Sequence, residues 1–150
     1  MTNNEIEFED IIGRYLTINI NNESYRIYVE ESGAGIPLIC LHTAGSDARQ
    51  FRHILNDKKI TANYRVIAFD LPWHGKSNPP EGFETKEYKL TTILYKQIIM
   101  SFCKAYNVNQ PVIMGCSMGG RVVLHLALEH SNFFRAVIAL EGADKLEAYY

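Results

Sequence analysis

The stretch PVIMGCSMGGRVVLHLAL, residues 111–128, decides the fold of this chain. It begins as a short apolar run and bends at Ser117, which stands between glycines. After Gly120 it continues as a mainly apolar segment that contains no glycine. A short apolar run of this kind is typical of a strand buried on both faces. The segment after the bend predicts a helix from Met118 to about His130. Ser117 is therefore predicted to lie at a strand-to-helix turn.

Similar units surround this one along the chain. Three further apolar runs predict buried strands: PLICLH (37–42), YRVIAFD (64–70) and part of FRAVIALEG (134–142). Two stretches with apolar residues at helical spacing lie between the strands: 46–57 and 90–107. Strands that alternate with helices indicate a mostly parallel sheet with helices on both faces, so the predicted fold class is α/β.

The N-terminal part of the chain predicts a different local structure. Residues 13–20 and 24–31 alternate loosely between apolar and polar side chains. Asn21 and Asn22 lie between these two runs, and paired asparagines favour a tight turn. A β-hairpin is therefore expected before the first parallel strand.

Composition excludes several classes of function. The 150 residues suit one domain, and a net charge of −2 without basic clusters gives no field for nucleic acid or an anionic membrane. The polar, acidic start is unlike a signal peptide, and no apolar run approaches the ~18 residues of a membrane span. Cys40, Cys103 and Cys116 lie in apolar stretches at spacings unlike metal ligands, which predicts reduced thiols, a cytoplasmic location and no metal.

The chemistry of the bend favours a nucleophile over a purely structural turn. Gly115, Gly119 and Gly120 remove side chains around Ser117, which permits a sharp turn and leaves the hydroxyl exposed. The following helix directs free N–H groups toward the same place, and the N–H of Met118 is placed to stabilise an oxyanion. A phosphate-binding loop is disfavoured because the bend at Ser117 carries neither Gly-Lys-Ser/Thr nor G-x-G-x-x-G.

Three segments in order resemble the α/β-hydrolase superfamily. GCSMGG (115–120) resembles its nucleophile elbow. LICLHTAGSDARQF (38–51) resembles its third strand and oxyanion loop, where His42-Thr43-Ala44 replaces the usual His-Gly-x. VIAFDLPWHGKS (66–77) resembles the loop after the fourth strand, with Trp73 in place of glycine. The resemblance implies an α/β-hydrolase sheet and a serine nucleophile at residue 117.

The resemblance also implies roles for individual residues. It makes the backbone N–H of Ala44 the second oxyanion donor, while Thr43 either adds a hydroxyl or shifts the loop. Histidines at the positions of His42 and His74 are usually structural in the family. Glu141 follows the sixth strand, where some members carry the acid of the catalytic triad; otherwise it braces a loop or contacts substrate.

The catalytic histidine is not expected among the five histidines of this chain. His53 lies on a predicted surface helix, and His125 and His130 lie roughly 12 Å or more along the helix axis from Ser117. In the family the histidine follows the eighth strand, whereas residues 1–150 match the N-terminal portion of one core domain, through the sixth strand. The resemblance therefore implies that this chain alone has little activity.

Two functions remain open at this stage. In the first, the chain is part of a serine hydrolase that cleaves an ester, thioester or related acyl bond, or a C–C bond as in some members, in a small-molecule substrate without a cofactor. In the second, it is an inactive remnant or interaction subunit. That alternative rests on the apolar strand AVIAL (136–140), whose free edge would pair with another chain or a second copy.

Overall fold

The computed structural model describes residues 8–87 and 89–142. These residues form one sheet whose strands are β1 (Ile12–Ile20), β2 (Glu23–Ser32), β3 (Ile36–Leu41), β4 (Tyr64–Phe69), β5 (Val112–Cys116) and β6 (Ala136–Leu140). The helices are α1 (Arg52–Asn56), α2 (Lys58–Thr61), α3 (Thr92–Ala105) and α4 (Met118–Glu129). Single 3₁₀ turns occupy Ala48–Phe51 and Phe83–Thr85.

The sheet has the strand order β1-β2-β4-β3-β5-β6. Strands β4, β3, β5 and β6 are mutually parallel, whereas β2 runs antiparallel to both β1 and β4. This arrangement confirms the predicted fold class, a mostly parallel sheet of the α/β-hydrolase type. The parallel strands bring their carboxyl ends to one edge, where ligands bind in sheets of this kind.

The N-terminal hairpin is also confirmed. Ile20 pairs with Glu23, and the two residues between them are Asn21 and Asn22, with φ angles of 51° and 65°. Two consecutive residues with positive φ form the turn whose twist matches the flanking strands, and asparagine tolerates that conformation better than most residues do. Local turn chemistry therefore set the register of this hairpin.

Helices cover both faces of the sheet, so each face has its own apolar layer. Helices α3 and α4 pack on one face, where Ile98, Phe102 and Val123 are completely buried. The segment from the first 3₁₀ turn through α1 packs on the other face, and Phe51 and Leu55 are buried there. Strands β3, β4 and β5 lie between these layers and are buried on both sides over most of their length, as continuous apolar runs predict.

The helix predicted over 46–57 is present as a 3₁₀ turn at Ala48–Phe51 that continues directly into α1, and it ends at the predicted residue, whereas the short helix α2 that follows was not predicted. Asp57 lies in an extended conformation, with φ −77° and ψ 108°, and ends α1. Its carboxylate then accepts hydrogen bonds from the N–H groups of Lys59 and Ile60 and so caps α2. An aspartate that caps the next helix competes with continuation of the first one.

Strand β6 differs from the expectation that it is buried on both faces. Val137 and Ala139 are partly buried against the layer of α4, whereas Ile138 and Leu140 are 41% and 44% exposed. Among the described residues, no helix covers the face of β6 that carries Ile138, because the layer built on α1 reaches only as far as β5. One face of this strand is therefore apolar and open in the described part of the chain.

Candidate active site

Ser117 occupies the turn between β5 and α4 in an unusual backbone conformation. Its φ of 52° and ψ of −109° are strained for a residue with a Cβ atom. The strain is held from both sides, because Ser117 N–H donates to Leu140 O at 2.9 Å and Arg121 N–H donates to Ser117 O at 2.8 Å. The side chain is exposed, and no described residue accepts from or donates to its hydroxyl. This turn presents the hydroxyl outward, above the carboxyl end of the sheet.

Close packing of α4 on the strands fixes the turn. A Cβ atom on Gly115 would lie 2.3 Å from the carbonyl of Gly119, and a Cβ atom on Gly119 would lie 2.6 Å from Leu41 O. Such distances leave no room for any side chain at either position. The start of α4 is thereby seated directly against the end of β3, next to the loop that carries Ala44.

The loop after β3 is braced by its own hydrogen bonds. Thr43 N–H donates to Gln50 Oε1 at 3.0 Å, and Thr43 O accepts from Ser46 N–H at 3.3 Å. Thr43 therefore anchors the loop, and it does not line the cavity described below. Ala44 is exposed at the tip, and neither its N–H nor that of Met118 donates to any described residue.

A cavity of about 320 Å³ lies over this turn. Its lining comes from the loop after β3, the start of α3, the elbow and the residue after β6: Ala44, Leu90, Thr92, Tyr95, Ser117, Met118, Arg121, Val122 and Glu141. The structure thus brings Ser117, Met118 and Ala44 together around one space, at the edge where α/β sheets bind ligands. Apolar side chains of α3 and α4 form much of its wall.

The histidines, all five of which lie in the described ranges, are outside this lining. His42 is buried, and its ring is fixed by two bonds: Nδ1 lies 2.8 Å from Thr43 O, and Nε2 accepts from Leu71 N–H at 3.1 Å. The Leu71 bond requires an unprotonated Nε2, so Nδ1–H donates to the carbonyl. Burial lowers the pKa of His42, which favours this neutral form.

The remaining histidines have other surroundings. The Nδ1 atom of His74 lies 3.0 Å from Pro72 O, and its ring centroid lies 5.0 Å from that of His42. His53 is exposed on α1. His125 and His130 lie two and more helical turns beyond Ser117 along α4. All five histidines therefore lie away from the lining of the cavity over Ser117.

Two acids near the carboxyl ends of the strands have distinct environments. Asp70 is 2% exposed, and its two carboxylate oxygens each accept a backbone bond of 2.7 Å, from Ala48 N–H and Lys76 N–H. It therefore joins two loops and does not reach the cavity. Glu141 is exposed at the cavity rim with a φ of 51°, directly after β6. Of the two, Glu141 alone shares the space above Ser117.

Sequence reasoning missed Arg121 as a residue of this site. Arg121 follows Ser117 by four residues on α4, and residues spaced by four lie on the same face of a helix. That spacing was the signal available in the sequence. Tyr95, which is 1% exposed, likewise enters the lining only because α3 packs across the sheet.

No helix in the described residues has the length and apolar character required to cross a bilayer. No group of three or more His, Cys, Asp or Glu side chains in the described ranges has an arrangement that could hold a metal ion.

The chain matches a protein-family model and several curated relatives. The family model described as alpha/beta hydrolase fold matches residues 36–148. The chain is 32% identical over 115 residues to the 2-hydroxy-6-oxo-6-(2'-aminophenyl)hexa-2,4-dienoic acid hydrolase of Metapseudomonas resinovorans, covering 75% of this chain and 38% of that protein. It is 25% identical over 122 residues to the pimeloyl-(acyl-carrier protein) methyl ester esterase of Vibrio atlanticus (strain LGP32), covering 81% and 42%.

Solved structures agree on the fold. A thermophilic esterase from Thermogutta terrifontis superposes with a TM-score of 0.77 at 18% identity, covering 91% of this chain and 48% of that chain. At this identity the likeness concerns the fold alone. The chain spans about two fifths of the length of the curated relatives that it matches.

Proposed function

Since this chain belongs to the alpha/beta hydrolase fold family, we propose that it carries the nucleophile and the oxyanion hole of a serine hydrolase. Ser117 is the nucleophile, and the N–H groups of Met118 and Ala44 are the oxyanion donors. One observation carries the proposal: Ser117 is exposed in a strained strand-to-helix turn, on the same cavity as two N–H groups without acceptors in the described residues.

The proposed reaction is acyl transfer to the serine. The Ser117 Oγ atom bonds to the carbonyl carbon of the substrate, and the carbonyl π electrons move to oxygen. The N–H groups of Met118 and Ala44 stabilise that oxyanion, together with the N-terminal end of α4. When the carbonyl re-forms, the bond to the leaving group breaks, and the leaving group takes the proton that Ser117 has lost. Water then hydrolyses the acyl-Ser117 intermediate by the same steps.

The base that accepts the Ser117 proton is proposed to be a histidine outside the 150 residues. The positions of the five histidines described above support this proposal, and both ring nitrogens of His42 already have hydrogen-bond partners. Without a base, a serine hydroxyl is a weak nucleophile, and the oxyanion hole and binding alone give about 10³–10⁴-fold acceleration over water. Little activity is therefore expected of the chain by itself. Glu141 stays the candidate for the acid that would orient such a histidine.

The proposed substrate class is an ester, a thioester or a related acyl compound, with cleavage of a C–C bond as a further possibility. The Vibrio relative is named as a methyl ester esterase, and the Metapseudomonas relative as the hydrolase of a dienoic acid. Apolar side chains such as Leu90 and Val122 line the cavity beside Ser117, which suits the carbon chain of a small acyl group.

A fluorophosphonate probe tests the nucleophile directly. The chain is incubated with the probe in the presence and absence of imidazole, which supplies a diffusible base, and the adduct is located by peptide mass spectrometry. We expect an adduct at Ser117 whose formation imidazole accelerates, and no adduct at residue 117 in Ser117→Ala. Ser131, an exposed serine in the turn after α4, is the internal control and should stay unmodified. If imidazole leaves Ser117 unlabelled, or labels Ser131 equally, the nucleophile is misassigned.

The alternative function is that of a catalytically inactive subunit or remnant that associates through β6. The open apolar face at Ile138 and Leu140 favours it, since exposed strands with apolar side chains pair readily with other chains. Light scattering during size-exclusion chromatography tests this alternative. A dimer that Ile138→Lys converts to a monomer would support it, whereas a monomeric native chain would exclude self-association.

A further inference from the structure

The cavity over Ser117 contains a cation whose partner is missing from the described structure. Arg121 is partly buried, and its Nε atom is shielded from solvent without a hydrogen-bond acceptor in residues 8–87 and 89–142. The other charged residue of the described lining is Glu141, and the two do not form an ion pair. A buried guanidinium N–H without an acceptor is unusual, because buried polar groups are nearly always hydrogen-bonded.

Other arginines show what the chain does with this side chain elsewhere. Arg49 pairs with Asp47 at 2.6 Å, and Arg65 pairs with Glu31 at 2.6 Å. Arg52 has no such partner among the described residues, but it is exposed to solvent. Arg121 differs from both groups, because its Nε atom is withdrawn from water and yet lacks a carboxylate. A packing role alone would be met by an uncharged side chain of similar length.

The position of Arg121 ties it to the reacting group. Arg121 lies one helical turn after Ser117, its N–H donates to Ser117 O, and both side chains border the same cavity. A guanidinium binds a carboxylate through two parallel N–H···O bonds, which fixes both the position and the orientation of the ligand. A substrate seated over Ser117 with a carboxylate close to its carbonyl group would therefore direct that carboxylate toward Arg121.

We propose that Arg121 is the specificity-determining residue of this site and selects substrates that carry a carboxylate close to the scissile carbonyl, such as monoesters of short dicarboxylic acids. The inference rests on the proposed function, in that the cavity over Ser117 is taken as the acyl-binding site. Glu141 opposes the binding of an anion, so the preference measured in the native chain is the net effect of the two charges.

Two matched probes test the proposal without any need for turnover: monomethyl glutarate, which is an anion at neutral pH, and dimethyl glutarate, its uncharged counterpart. Each is titrated into the ¹⁵N-labelled chain, and the Arg121 Nε–Hε signal and backbone amides are followed by NMR. We expect monomethyl glutarate to bind about tenfold to a hundredfold tighter than dimethyl glutarate, as charge-assisted hydrogen bonds allow. Its saturation should also shift the Nε–Hε signal.

Variants separate recognition from packing. Arg121→Gln should bring the two affinities together, mainly by weakening the binding of the anionic probe. A purely structural role of Arg121 would leave the ratio of the two affinities unchanged. Arg52→Gln removes the same charge from an exposed position on α1 and should keep the native ratio. Glu141→Gln should raise the affinity for the anion. The proposal is overturned by equal affinities in the native chain, by no saturable binding of monomethyl glutarate, or by a ratio that survives in Arg121→Gln.

The outcome is independent of the test of the nucleophile. The same titrations are repeated with Ser117→Ala, which cannot react but keeps the arginine. A preference for the anion that persists there, with no fluorophosphonate adduct at Ser117 in the native chain, would refute the nucleophile and retain the anion site. An adduct at Ser117 without any preference would refute only the role of Arg121. If Arg121→Gln does not fold, the comparison of the two probes on the native chain still decides.

Discussion

Replacement of Gly119 by alanine is expected to damage both the stability and the reactivity of this chain. Gly119 is the second residue of α4, and a Cβ atom there would lie 2.6 Å from Leu41 O and 3.1 Å from His42 O. Both oxygens belong to the backbone at the end of β3, which is paired with a strand on either side. The strand cannot yield as a flexible side chain would, so the helix must move instead.

The magnitude follows from the geometry. An ordinary carbon-to-oxygen contact is about 3.3 Å, so α4 must move by about 0.7 Å. Overpacking of this kind costs typically 1–3 kcal/mol, whereas alanine recovers up to about 1 kcal/mol in helix propensity. With the clash against backbone, we expect a net loss of about 1–2 kcal/mol, which lowers the unfolding midpoint by about 2–8 °C for a chain of this size.

The same displacement should slow labelling of Ser117. A shift of α4 separates the N–H of Met118 from that of Ala44, and misplacement by about 1 Å can cost about 10²-fold in rate. We expect labelling by fluorophosphonate in imidazole to fall by about tenfold or more in Gly119→Ala. The control is Gly82→Ala, where the nearest atom is Lys86 Cε at 3.8 Å and only a positive φ is strained. That variant should lose about 1 kcal/mol and keep the native labelling rate.

Circular dichroism during heating and labelling kinetics measure the two effects separately. An increase in the unfolding midpoint of Gly119→Ala would show that helix propensity exceeds the steric term. It would refute the claim that α4 is seated against β3 by this contact. Unchanged labelling in a destabilised Gly119→Ala would instead refute the claim that the contact sets the oxyanion geometry.

Two further predictions concern buried groups. Because burial lowers the folded-state pKa of His42 below 6.5, the unfolded chain binds a proton at this histidine at higher pH than the folded chain does. The free energy of unfolding should therefore fall as pH decreases through about 6.5. Urea titrations should show a weaker fall in His42→Asn, which keeps a donor and an acceptor. An identical pH dependence in both proteins would contradict this. Burial raises the pKa values of Cys40 and Cys103 to about 12, whereas Cys116 is partly exposed. A thiol reagent should therefore modify one cysteine in the folded chain and three in denaturant. Early modification of Cys40 would argue against this packing.

Much of the fold was predictable because its signals are local. The continuous apolar runs of β3, β4 and β5 reflect burial on both faces, and Asn21 and Asn22 favour the positive φ angles of a tight turn. Thr91 caps α3 by accepting a hydrogen bond from Leu94 N–H, as a threonine before an apolar helical stretch predicts. The helix predicted over 46–57 ends at Asp57 as expected, whereas α2 was missed, because a helix of four residues is too short to show apolar periodicity.

The sequence by itself determined that Ser117 lies at a strand-to-helix bend, because apolar period and glycine spacing are properties of neighbouring residues. It did not determine what surrounds that serine. Only the tertiary structure placed Arg121 and Glu141 on one cavity, bonded His42 to Leu71 across 29 residues of chain, and left one face of β6 open. The physical reason is that these contacts depend on how α4 packs against β3 and on the order of strands in the sheet. Distances between residues far apart in sequence are fixed by packing and not by local conformational preference.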